Sequence, residues 1–510
     1  MILTCFLLLG LADAPTVTPP TPAFFDLVDE PHRASARAFY TKSVSVAGLP
    51  IVGAEVVANQ ALVRAHEIVS HLLAGRPDVL QAMIKDRMYL IVIGKDQLYT
   101  DMPENSAHPD PAYVNERVRG TGGRPTSFGE ENLLSLPLDR YDDESIAVHE
   151  FCHTIDGTVR RLEPAWADRL DRVYKSAIKK GLYARTYAAG NAGEYWAEIA
   201  QSYFDCNRVN NWNHGPIGTR EQLRFHDPDG YALVRDTFRL TPATDWRYRW
   251  LQPLPNISLP PNRLKLAPWY TKFTSAREFP VVGRNASDEA LLRANQIIRK
   301  MFAYRHDILK AFIASGMKLV VLGANESMAD LPEFQDVQAD FDLLSQTHDY
   351  DPRTKTLVVT ESDLLADPAT SGVPANPVVR VMATAIHQVA GMRPIEPALK
   401  SKGSNVQQYE LNVKRLDLTF DQQLRTLHEQ ALNAGKWQGT AAVHSPTHYW
   451  SVGVLAYFQA NGQDPAPTDA PHPITRREQL AQYDPELYNL VRETMAYEGH
   501  VDWRFRTQAP

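Results

Sequence analysis

At 510 residues the chain is long for one hydrophobic core, so two or more domains are expected. A hydrophobic share of 44% and a charged share of 22% are those of a globular protein, which argues against a disordered or fibrous class. A formal net charge of −7 leaves no basic footprint for nucleic acid or an anionic membrane.

The elements then follow in chain order. Met1–Leu11 is almost wholly apolar and runs into Ala12-Asp13-Ala14, an A-x-A cleavage pattern. It is too short to span a bilayer, so residues 1–14 read as a secretory signal, and an extracellular protein with no stable membrane anchor is expected. Residues 15–36 read as a linker that opens proline-rich, and 37–252 as a first domain. Within it, Leu62–Leu73 predicts a helix, Met88–Ile93 a strand and Leu133–Leu136 another, which points to an α+β fold. Cys152 and Cys206 are the cysteines left after the signal, and a disulfide between them is left open.

His149-Glu150-Phe151-Cys152-His153 is an HExxH motif. On a helix, residues four apart share a face, so both imidazoles can reach one ion while Glu150 lies beside them to take a proton. Val148, Phe151, Cys152 and Ile155 form the matching apolar stripe. Asp142 or Asp143 is expected to cap this helix and Gly157 to end it. The motif alone does not separate metal binding from a solvated His-Glu face. A metzincin would need Gly at 156 and His at 159, where this chain has Asp156 and Val159.

A third ligand is supplied downstream. Gly193-Glu194-Tyr195-Trp196-Ala197-Glu198-Ile199 continues an amphipathic helix on which Glu194 and Glu198 share a face. One carboxylate can coordinate a metal while the other orients an imidazole, and spacing alone lets the two exchange roles.

HEFCH followed by EYWAE resembles the gluzincin metallopeptidases, and within them the family of anthrax lethal factor and its relatives. The resemblance covers roughly 139–204. It implies one zinc ion held by His149, His153 and Glu194, with Glu198 behind the ligands, Glu150 as general base and Tyr187 stabilising the transition state. Tyr183 is the reserve for that last role.

The second half repeats the first. Tyr40-Thr41-Lys42 recurs as Tyr270-Thr271-Lys272, Arg220-Glu221-Gln222-Leu223 as Arg477-Glu478-Gln479-Leu480, and Asp245-Trp246-Arg247 as Asp502-Trp503-Arg504. Units of this size are duplicated domains rather than solenoid repeats. A proline-rich linker over 253–266 separates them, leaving 267–510 as the second zincin-like domain. Aligning Ala385–Gly391 with Ala147–His153 sets Gln388 against Glu150 and Gly391 against His153, and His448 falls opposite Glu194. The second copy therefore reads as a pseudopeptidase.

The expectation is a secreted, single-zinc peptidase acting on protein or peptide substrates. The runner-up is an extracellular binding protein that uses both domains as recognition surfaces, and a zinc-dependent amidase or esterase is the third reading.

Overall fold

The computed structural model describes residues 15–142, 144–184, 186–207, 217–252, 255–303, 305–335, 354–366, 375–390, 418–462, 465–495 and 503–505. The candidate signal over 1–14 lies outside them, as does Gly391. The chain is a mixed α and β protein, as an α+β reading anticipates. Among the described residues no helix is long and apolar enough to cross a membrane.

The first sheet opens with an antiparallel hairpin, β1 (Tyr40–Val46) and β2 (Leu49–Ala54). Ala47 and Gly48 turn it, both at positive φ (46° and 102°), the pairing that a tight right-twisted hairpin demands. Helix α1 (Asn59–Leu73) crosses over to β3 (Leu90–Ile93), which runs parallel to β2. Buried Leu62, Ala65, Ile68, Val69 and Leu72 form its inward stripe. Strands β4 (Gly120–Thr121) and β5 (Thr126–Gly129) complete the order β1-β2-β3-β5-β4, with β5 parallel to β3 and β4 antiparallel on the edge.

Two helices carry the HExxH residues and Glu194. Helix α2 (Ile146–Leu162) carries the HExxH residues and packs against β5 and against α3 (Ala192–Tyr203). Trp196 ties the pair by donating Nε1–H to the Cys152 carbonyl at 2.8 Å. Three local expectations change here. Ser145 caps α2 instead of Asp142 or Asp143, accepting from Val148 N–H, while Asp142 is engaged by Arg299. Gly157 does not end the helix, because Thr158 and Val159 beyond it are buried and hold the last turns down. Residues 133–136 form no strand: Glu130–Leu133 is a short helix, followed by a left-handed turn at Ser135 (φ 53°).

The second sheet opens the same way, with a hairpin of β6 (Lys272–Ala276) and β7 (Phe279–Gly283). Helix α4 (Asp288–Met301) follows, then β8 (Lys318–Leu322) and β9 (Thr356–Thr360), each parallel to its neighbour in the order β6-β7-β8-β9. Helix α5 (Pro377–Ala385) packs against β9, and after α6 (Leu418–Asn433) comes α7 (Pro446–Tyr457), which packs against α5 and α6. Each buried hydrophobic cluster draws its residues from one half only, so each half has its own core. Fully buried Arg76 and Arg305 play the same part in each half, donating to the carbonyls of Thr237 and Thr494.

Candidate metal centre

His149 and His153 extend from one face of α2 toward α3, where Glu194 stands in the first turn. Asn191 fixes that turn by accepting from Glu194 N–H at 2.9 Å. His149 Nε2 is 3.1 Å from His153 Nε2 and 3.2 Å from Glu194 Oε2, and His153 Nε2 is 3.3 Å from the same oxygen. Three electron-rich atoms this close must be separated by protons or by one shared cation. Donors about 2.0–2.1 Å from a tetrahedral ion lie about 3.3 Å apart, so the triangle fits a metal. These atoms form a group able to hold a metal ion.

The outer edge of His149 fixes its tautomer. Gln201 Nε2 donates to Glu144 Oε2 (2.9 Å) and to the Ser145 carbonyl (3.1 Å), which turns Gln201 Oε1 to within 3.0 Å of His149 Nδ1. An amide oxygen only accepts, so Nδ1 carries the proton, as it must when the other nitrogen is to bind a metal. Glu144 and Glu198 stand farther from Nδ1, at 3.6 and 3.9 Å. Glu198 therefore stands behind His149 without a direct hydrogen bond to it, and accepts from Asn207 Nδ2 at 3.2 Å. Gln201 and Glu144 escape a reading built on carboxylates alone. Gln201 shares a face with Glu194 and Glu198, seven and three residues on, which was the signal available in the sequence.

The electrostatics favour a cation. Burial works against an imidazolium at His149, but the Glu194 hydrogen bond with Glu144 and Glu150 nearby raises its pKa well above the ordinary value. Burial likewise opposes charge on Glu194, yet the two imidazoles hold its carboxyl far below the usual carboxylate range. At Glu150, burial prevails and the carboxyl is raised, against the pull of both imidazoles and of a hydrogen bond from Gly122 N–H.

Glu150 and His153 lie directly under β4 and the turn after it. A Cβ at Gly122 would come within 2.5 Å of His153 Cβ and 2.9 Å of the Glu150 carbonyl, and one at Gly120 within 2.5 Å of Ile146 Cγ2. Only glycine lets the edge strand approach α2 so closely.

Tyr187 is half-buried in the short turn Tyr187–Ala189, its ring centroid 6.1 Å from that of His149. Burial first, then Glu194 and Glu150, push its phenol far up, so the hydroxyl keeps its proton. Tyr183, the reserve, points elsewhere: its hydroxyl donates to Asp227 Oδ2 at 3.1 Å, beside Tyr195, which donates to the same oxygen at 2.5 Å. Cys152 and Cys206 are two separate, buried free thiols.

The second half corrects the alignment of the motif helix. Asn376 caps α5 and its N–H donates to the Ala460 carbonyl, as Ser145 caps α2 and donates to Cys206. Trp450 Nε1 donates to Ala383 as Trp196 does to Cys152. Ser145 thus corresponds to Asn376, which sets Arg380 opposite His149, Val381 opposite Glu150 and Thr384 opposite His153. Seven residues make nearly two whole helical turns, so a seven-residue slip brings the apolar stripe back to within about 20° and conceals the error. His448 keeps its place opposite Glu194, since Ser445 caps α7 as Asn191 caps α3. His387 lies two turns farther on, buried between Thr447 Oγ1 (2.9 Å) and Asp421 Oδ1 (2.8 Å). Among the described residues, the two groups able to hold a metal, His149 with His153 and Glu194 and His149 with Glu144 and Glu198, both belong to the first half. Compared with known proteins, the chain matches no family model, no curated protein and no solved structure.

Proposed function

We propose that the chain is a secreted zinc metallopeptidase of gluzincin type, with one active and one degenerate domain produced by duplication. The observation that carries the reading is the triangle of His149 Nε2, His153 Nε2 and Glu194 Oε2, with edges of 3.1–3.3 Å. Two imidazoles and one carboxylate are a donor set that suits zinc and leaves a coordination position open. A zinc ion bound there would supply Lewis acidity at neutral pH.

The protein's own groups perform the rest. Glu150 accepts the proton of the attacking water and passes it to the leaving amine. Tyr187 donates its hydroxyl proton in a hydrogen bond to the carbonyl oxygen as that atom gains charge. Gln201 keeps the His149 ring in the ligating tautomer. The peptide substrate class is supported by β4, a short edge strand of the sheet that runs over α2, since an exposed edge accepts an extended chain by strand addition.

The duplication is supported by the matched hairpins, caps and tryptophan hydrogen bonds of the two halves. The degenerate reading rests on Arg380, Val381 and Thr384 standing where His149, Glu150 and His153 stand in the first half. Extracellular location rests on the sequence of residues 1–14. A peptide-library digest of the zinc-loaded chain, with and without chelator, tests the activity. Cleavage lost on chelation and restored by zinc is expected. Zinc-loaded protein that cleaves no peptide would overturn the peptidase reading and leave the binding-protein and the amidase or esterase readings in its place.

A further inference from the structure

The two halves meet at the loop that leads into α2. Arg299, near the end of α4, places NH1 2.6 Å from Asp142 Oδ2, with both side chains nearly out of solvent. Glu278, in the β6–β7 turn, holds Arg140 Nε at 3.1 Å and Lys310 Nζ at 2.7 Å. Arg263 NH2 donates to the Leu138 carbonyl at 3.3 Å, and Asn256 Nδ2 to the Ser135 carbonyl at 3.3 Å. The second half and the linker before it therefore grip residues 135–142 at several points.

Arg299 and Glu278 have no like residue at the matching positions of the first half. The cap correspondence of Ala58 with Ser287 sets Ser70 opposite Arg299, and the hairpin register sets Gly48 opposite Glu278. Glu278 adopts φ 73° where the first half uses glycine at φ 102°. A side chain at such a backbone position is strained, and it persists where the surrounding contacts hold it.

From the gripped loop a short chain of hydrogen bonds reaches the metal centre. Asn132 binds the loop on both sides, donating to Asp139 Oδ2 (2.8 Å) and the Glu144 carbonyl (2.8 Å) while accepting from Ile146 N–H (2.8 Å). Glu144, two residues after Asp142, accepts from Gln201 Nε2 at 2.9 Å, and Gln201 Oε1 holds His149 Nδ1 at 3.0 Å. The contacts of Arg299 with Asp142, of Asn132 with the loop and of Gln201 with Glu144 and His149 are buried and directional, and Glu144 follows Asp142 two residues on, so a displaced loop carries the His149 ring with it.

We infer that the degenerate half is a positioning element for the metal centre, with Arg299 acting on His149 through Asp142, Glu144 and Gln201. The inference rests on the metal reading above and gives the second half a task that needs no chemistry of its own.

The test is zinc affinity of the full chain, measured by competition with a chelating dye, together with the visible spectrum of the cobalt-substituted protein. Arg299→Met is compared with Lys318→Met, which breaks the buried Lys318–Glu333 pair (2.8 Å) within the second half and away from the loop. Arg299→Met should weaken zinc binding by about tenfold, the lower end of what a partner of a ligating histidine supplies, and shift the cobalt bands. Arg299→Lys should recover most of the loss, and Lys318→Met should leave affinity and spectrum unchanged even if it lowers Tm. Wild-type affinity in Arg299→Met, or an equal loss in Lys318→Met, overturns the inference. Should Arg299→Met not fold, Glu278→Gln takes its place, and unchanged zinc affinity there is equally contrary. A wild-type chain that binds no zinc overturns the metal reading itself, and this inference with it.

Discussion

Gln201 Oε1 faces His149 Nδ1 at 3.0 Å, closer than either neighbouring carboxylate, Glu144 at 3.6 Å or Glu198 at 3.9 Å. The imidazole is thus oriented by a neutral amide, with charge one step behind it. Gln201→Leu removes the acceptor and leaves the Nδ1 proton buried without a partner. Zinc affinity should fall by about 10- to 100-fold, read by dye competition, with far-ultraviolet circular dichroism unchanged. Affinity within twofold of wild type would assign the orienting role elsewhere.

Glu150→Gln separates binding from chemistry. The amide cannot accept a proton, and Glu150 is not among the three converging donors. Zinc content should be retained while kcat falls by about 10²- to 10⁴-fold. A variant that turns over normally would remove Glu150 from the mechanism.

Tyr187→Phe keeps the ring beside His149 and deletes only the hydroxyl. The predicted loss is about 10²- to 10³-fold in kcat with KM little changed, because the hydrogen bond strengthens only as the carbonyl oxygen gains charge. Burial and the surrounding carboxylates hold the phenol protonated, so Tyr187 should impose no alkaline limb on the rate up to pH about 10. A loss expressed in KM alone would make the residue a substrate contact.

Gly122→Ala tests the closeness of the edge strand to α2. The added methyl would meet His153 Cβ at 2.5 Å and the Glu150 carbonyl at 2.9 Å, so helix and turn must part. Weakened zinc binding and a lowered Tm are expected together, the latter corresponding to about 1–3 kcal/mol of overpacking. A fully stable variant with native affinity would show that the approach is not needed.

The interface between the halves carries a pH signature. Burial opposes the charge on Glu278, but Arg140, Lys310 and Arg263 hold its carboxyl below the usual range. The unfolded chain, with an ordinary carboxyl near about pH 4.3, binds that proton more tightly. The stabilisation is therefore present above that pH and is lost as pH falls through the lowered folded value. Glu278→Gln should lower Tm at pH 7 and flatten its decline below pH 5. An unchanged slope in a pH series of thermal melts would show that the interface does not titrate.

What the sequence revealed and concealed has physical causes. His149, His153 and Glu194 were legible because helical spacing alone puts two imidazoles on one face, and an amphipathic helix with a glutamate in its first turn is visible as a pattern. Gln201 was missed because a glutamine in an apolar helix carries no chemical label until its partners are seen. The cap of α2 was misread because Asp142, a good capping residue by type, is claimed by Arg299 from the other half. No local pattern encodes a contact 157 residues away. The slip in the second half arose from periodicity itself, since Ile386, Val389 and Ala390, just beyond α5, repeat the apolar spacing of Val148, Phe151 and Cys152. Only the hydrogen bonds of Asn376 and Trp450 fix the register.

The most direct measurement is the zinc stoichiometry of the full chain, stripped with chelator, refilled and freed of excess metal. The account predicts one zinc per chain, lost in His153→Ala and kept in His387→Ala, which touches only the second half. No bound zinc, or zinc that survives His153→Ala and leaves with His387→Ala, would contradict it.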